Sequence, residues 1–129
     1  MPNTKQAERE PPAVPSAERY KDAFRQLRAT LPANHLALLR AHYLAPNHTI
    51  TARELAAAVG YAGHGSVNLQ YGMFGRAMRE LMAYAEGEQA AYVFASFIKP
   101  GAQGNREHLW VLHPEVVQAL DELGWFAIQ

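Results

Sequence analysis

An α+β fold is what this sequence predicts: a group of helices, then a β-hairpin and a closing helix. Three observations carry that prediction. Apolar residues recur at helical spacing from Tyr20 to Leu81. Two runs rich in β-branched and aromatic residues, Ala91–Ile98 and Glu107–Leu112, flank a Pro/Gly-rich turn. Finally, the stretch Thr51–Met82 reads as a short helix, a glycine-rich turn and a longer helix.

The chain has 129 residues, enough for one domain with one core. Hydrophobic content of 49% and charged content of 19% are those of an ordinary globular protein. With no cysteine, disulfides and thiolate metal sites are excluded. Neither a membrane-length apolar run nor the apolar core of a signal peptide occurs, so the expected setting is a cytoplasm of bacterial type, away from membranes. Net charge is zero but unevenly spread. Residues 15–79 hold eight Lys and Arg against three Asp and Glu, and residues 80–129 hold two against seven. That asymmetry suits an anionic partner for the first half, while the neutral total argues against tight nonspecific DNA binding.

Residues 1–15 contain Pro2, Pro11, Pro12 and Pro15 and almost nothing apolar, which predicts a disordered tail ahead of a domain spanning 16–129. Ser16 can cap a helix running to about Thr30, with Tyr20, Phe24, Leu27 and Leu31 as its apolar stripe. Lys21, Arg25 and Arg28 repeat that spacing on another face, either as a solvated row or as phosphate contacts. Pro32 suits the first turn of a second helix with Leu36, Leu39 and Tyr43 as its stripe, widened by Leu38 and Leu44, and Pro46 ends it. His35, His42 and His48 are spaced by seven and six, not the three or four that would bring two ligands together, so they read as surface or partly buried structural residues. No metal site and no cofactor are expected.

Thr51 and Glu54 form a capping box, and Leu55, Ala56 and Val59 face inward. Gly60 stops that helix in a left-handed conformation, and residues 61–65 make a long glycine-rich turn. Ser66 can cap the next helix, whose stripe is Val67, Tyr71, Phe74, Met78 and Leu81. Gly72 and Gly75 inside it cost roughly 1 kcal/mol each against alanine, which points to close approach by another helix or by a DNA backbone. This is the grammar of a helix-turn-helix, whose second helix usually enters the DNA major groove. Beyond a break at Glu86–Glu88, the two strand-like runs make a hairpin with Lys99, Gln103, Asn105 and Arg106 at its tip. Pro114 opens a last helix, Glu115–Leu123, which Gly124 ends, and Trp125 and Phe126 fold back on the core. Helices, a helix-turn-helix and then a hairpin together predict the winged-helix plan.

The segments T-A-R-E-L-A-A-A-V-G-Y and S-V-N-L-Q-Y-G resemble bacterial winged-helix modules joined to HNH-type nucleases of restriction-like systems, some of which act on modified DNA. The ending L-W-V-L-H-P-E-V-V-Q-A-L-D-E-L-G-W is similar to the closing hairpin and helix of the same modules. The two matches cover somewhat under a third of the chain. The resemblance implies a specificity module or modified-base reader of a restriction-modification system, with a nuclease domain or partner elsewhere. It does not bring the nuclease itself, because the Asn-His pairs, Asn34-His35 and Asn47-His48, form no H-N-H arrangement.

No H-E-x-x-H, G-x-S-x-G, Walker or G-x-G-x-x-G pattern occurs, and Gly63-His64-Gly65-Ser66 is the only local pairing of a nucleophile with a base. A non-enzymatic, double-stranded-DNA-binding module is therefore expected. Asn68 and Gln70 are the first candidates for base contact, since amides suit adenine edges, with His64 and Tyr61 contacting a base or sugar at the turn. Ser66, Arg53, Arg76, Lys99 and Arg106 are the candidates for phosphates. A methylated base would need an aromatic pocket, for which Tyr61 and Tyr71 are available. The competing class is a protein-interaction or dimerisation module of the same fold without DNA binding.

Overall fold

The computed structural model describes residues 14–83, 90–99 and 107–126. Among these are five α-helices and a small three-stranded antiparallel sheet, an α+β arrangement. In order they are α1 (Ala17–Leu27), α2 (Ala33–Leu44), β1 (Thr49–Thr51), α3 (Ala52–Val59), α4 (His64–Met82), β2 (Ala95–Ile98), β3 (Leu109–Leu112) and α5 (Pro114–Leu123). No helix among the described residues is long and apolar enough to cross a membrane. Most of the expected tail lies outside the described residues, as do the turn Pro100–Asn105, the Glu86–Glu88 break and Arg106.

Local chemistry explains where the helices begin and end. Ser16 accepts from the Arg19 amide at 3.3 Å and opens α1, which stops at Leu27, short of the expected Thr30. Thr51 and Glu54 form the reciprocal capping box of α3, and Gly60 ends it at φ +82°. Ala45, before Pro46, is extended (φ −65°, ψ 149°), as the clash with a following proline ring requires, and α2 ends there. Two starts differ from expectation. Pro32 is the extended cap of α2 and not part of its first turn. Likewise α4 begins at His64 with Gly63 as its cap, so Ser66 lies inside the first turn and does not cap. The connection between α3 and α4 is thereby shortened to residues 60–63, the length of an ordinary helix-turn-helix turn.

The inner face of α2 keeps Leu38 and Leu39 of the expected stripe but takes His35 and His42 in place of Leu36, Tyr43 and the exposed Leu44. His35, Leu38, Leu39 and His42 are buried, whereas Leu36 and Tyr43 are only half-buried. The reason is that both imidazoles find partners inside. Buried polar atoms are tolerated when they are hydrogen-bonded. His42 accepts from the Tyr71 hydroxyl at Nδ1 (2.9 Å) and donates from Nε2 to the Trp110 carbonyl (2.8 Å), joining α2, α4 and β3. Burial lowers its pKa to about 4, so the ring is neutral near pH 7, and burial also pushes the Tyr71 phenol up. His35 stacks on Phe74 at 5.6 Å. His35 and His42 are therefore core residues, where surface or partly buried positions were expected.

The sheet has the order β1-β3-β2. Its third strand, β1, carries only three residues and no periodicity to announce it. It exists because Thr49, Ile50 and Thr51 pair with Val111, Trp110 and Leu109. The first hairpin arm is shorter than expected: Ala90–Val93 is a 3-10 turn packed on α4, and only Ala95–Ile98 is strand. Tyr20 holds that turn by donating to the Val93 carbonyl, and His113 Nε2 donates to the Tyr92 carbonyl at 2.8 Å. The core is aromatic at its centre: Phe24, Phe74 and Phe94 touch one another, and Tyr71 stacks on Phe94. The helix stripe on α4 holds at Val67, Tyr71, Phe74 and Met78, but Met82 replaces Leu81 at its end. Phe126 is buried and Trp125 packs 5.4 Å from Phe24, as a returning terminus should.

Candidate nucleic-acid interface

The first turns of α3 and α4 stand beside the β2–β3 pair, and a cleft of about 490 Å³ opens between them. Its walls bring together Arg53 of α3, His64 and Asn68 of α4, and Lys99 and His108 at the hairpin. Tyr92, Phe97 and Trp110 form its apolar side, and Glu107 lies at its edge. The register accounts for that apolar side. Phe97 pairs directly with Trp110 across the ladder, and the rings stack 4.5 Å apart at 8°. Tyr92 meets Phe97 edge-on at 4.6 Å. Arg53 is 79% exposed and its Nε lies 3.6 Å from Glu107, a surface pair that holds the guanidinium only weakly.

Four of the sequence-predicted residues, Arg53, His64, Asn68 and Lys99, thus share one cleft although they come from three separate elements. Ser66 and Arg76 are exposed on α4 but do not line it. Arg106 lies outside the described residues. Gln70 and Tyr61 sit elsewhere. Two residues along a helix is about 200° of rotation, so Asn68 and Gln70 leave opposite flanks of α4 and do not address one base pair together. Gln70 Oε1 accepts from Asn34 Nδ2 at 3.2 Å and from His35 Nε2 at 2.9 Å, while Asn34 Nδ2 also donates to the Tyr61 hydroxyl at 2.9 Å. Tyr71 is fully buried against α2 and β3 and is not available to a ligand. The aromatic groups next to α4 are instead Tyr92, Phe97 and Trp110. Strand register brings Phe97 and Trp110 there, and the 3-10 turn before β2 brings Tyr92.

The outer arc of α4 is exposed at Gly65, Ser66, Asn68, Leu69, Met73 and Arg76. Leu69 is 61% exposed and Met73 44%, large apolar groups held in water one turn apart. A Cβ at Gly72 would meet nothing within 4 Å, so this glycine serves no helix contact, whereas Gly75 is buried. The basic row of α1 does not converge here. Lys21 bridges Glu18 at 2.7 Å and Glu122 of α5 at 2.6 Å, Arg25 pairs with Asp22 at 3.2 Å, and Arg28 lies over Trp125. Those charges tie α1 to itself and to the C-terminal segment. Among the described residues no three His, Asp or Glu side chains gather as cation ligands. No protein-family model matches this chain, and neither the curated proteins nor the solved structures contain a match to it.

Proposed function

We propose that this chain is a winged-helix module that binds double-stranded DNA, with α4 in the major groove and the β2–β3 pair as its wing. The observation that carries the reading is the shared cleft: two exposed cations, Arg53 and Lys99, stand beside an amide and an imidazole, Asn68 and His64, at the start of a helix whose outer face is exposed. Cations of that kind hold phosphates, and amides on a helix front read base edges. The connection of four residues between α3 and α4 and the position of the hairpin next to α4 support it. The resemblance of Thr51–Gly72 and Leu109–Trp125 to specificity modules of restriction-like systems points the same way, to modified or unmodified duplex as the ligand.

The test is a titration of duplex DNA, followed by fluorescence anisotropy, across roughly 50 to 200 mM salt. Engagement of Arg53, Arg76 and Lys99 gives a log–log slope of about −3. The absence of binding to any duplex at low salt, methylated or not, overturns the proposal. A second reading, a protein-docking module, draws on the exposed Leu69, Met73 and Ile98 and on the pairing of Lys21 and Arg25 within the protein. It requires association that strengthens with salt, because apolar contact and not charge would drive it.

A further inference from the structure

We infer that Gln70 is a guanine reader and not, as its amide alone suggests, an adenine reader. The inference rests on the DNA-binding reading above and names what one flank of α4 selects. An adenine contact by glutamine is bidentate: the side chain must accept from N6 and donate to N7. Here the accepting half is already used. Gln70 Oε1 takes hydrogen bonds from Asn34 Nδ2 and His35 Nε2, as many as its two lone pairs accept. His35 is buried and stacked on Phe74, and Asn34 is half-buried, so neither donor swings away freely.

The donating half is free. Gln70 Nε2 has no hydrogen-bond partner among the described residues. No buried side-chain nitrogen or oxygen in the described residues lacks a partner, so that nitrogen reaches solvent. Gln70 therefore presents two N–H groups and no acceptor. In the major groove the matching pattern is a pair of acceptors, which guanine supplies at O6 and N7. Asn34 and His35 act through Gln70 and are positioning residues. Asn68, on the opposite flank, keeps both halves of its amide for a different base pair.

The discriminating variant is Gln70→Glu. Its carboxylate still accepts from Asn34 and His35, so the network and the fold remain, but the free group becomes an acceptor. The full chain and this variant are each equilibrated with a pool of duplexes randomised over the bound site, and the bound fraction is sequenced. The unmodified chain selects guanine at one position, and replacing that guanine by 7-deazaguanine weakens binding several-fold. Gln70→Glu loses the guanine preference there by about tenfold and turns toward cytosine, whose N4 amine donates. Asn34→Ala frees part of Oε1 and admits adenine at the same position. Retention of the guanine preference by Gln70→Glu overturns the inference. So does an adenine or cytosine preference of the unmodified chain at the position the variant changes, since the amide would then face the other way. A chain that binds no duplex at low salt is a different result, which removes the DNA reading itself.

Discussion

The two sides of α4 use the same kinds of residue to opposite ends. On the inner side, Val67, Tyr71, Phe74 and Met78 are almost wholly removed from water, and the one hydroxyl among them is bonded to His42. On the outer side, Asn68, Leu69 and Met73 are exposed, and Gly65 and Gly72 leave open space above the backbone. The inner side determines whether the helix exists and where it points. The outer side contributes little to that and is free to be selected for a ligand. If the outer side binds DNA as proposed, stability and recognition separate by helix face rather than by segment, and substitutions one residue apart act on different properties.

Phe74→Ala is expected to have the largest effect. It removes a ring that touches Phe24, Phe94 and His35, and should cost about 3–5 kcal/mol in denaturant-induced unfolding. A cost under about 1 kcal/mol would mean that the inner side is not the core described above. Next comes pH. The His42 pKa is depressed in the folded protein to about 4, below its unfolded value. Its contribution is therefore present above pH 6.5 and is lost as pH falls toward 4, by up to about 3 kcal/mol. Thermal melts across that window should show the decline, and a His42→Asn variant, less stable throughout, should show a flatter one.

Tyr71→Phe keeps the ring and strips the donor from His42 Nδ1, leaving a buried acceptor without a partner. A loss of about 1–3 kcal/mol in chemical unfolding is expected, with DNA affinity per folded molecule unchanged. Outer-face changes come last. Asn68→Ala should shift unfolding by no more than about 0.5 kcal/mol while relaxing base preference in the duplex-pool selection. If stability falls as far as it does for Phe74→Ala, the comparison between faces fails. Gly72→Ala sharpens it further. The added methyl meets nothing within 4 Å, so the helix should gain about 1 kcal/mol. If α4 lies in the major groove, the same change weakens DNA binding, and a variant that is both more stable and equally tight would place the groove contact elsewhere.

Local chemistry was legible in the amino-acid order alone. The capping box at Thr51 and Glu54, the left-handed glycines at 60 and 124, the break at Pro46 and the inner stripe of α4 each depend on neighbours within one or two turns. Other features depend on partners far along the chain and emerge with the packing. His35 and His42 turn inward because Gln70, Tyr71 and Trp110 are waiting for them, and no periodicity of apolar residues registers a histidine whose polar atoms are satisfied. β1 is a strand only because β3 is there to pair with it. Arg53, Asn68 and Lys99 were each legible as candidate contacts, but their convergence came from the packing of α3, α4 and the hairpin. The parting of Asn68 from Gln70 follows from helix geometry, and the capture of one half of the Gln70 amide follows from a neighbour 36 positions earlier. A side chain's identity fixes which hydrogen bonds it can make, and only the fold decides which of them are left to offer.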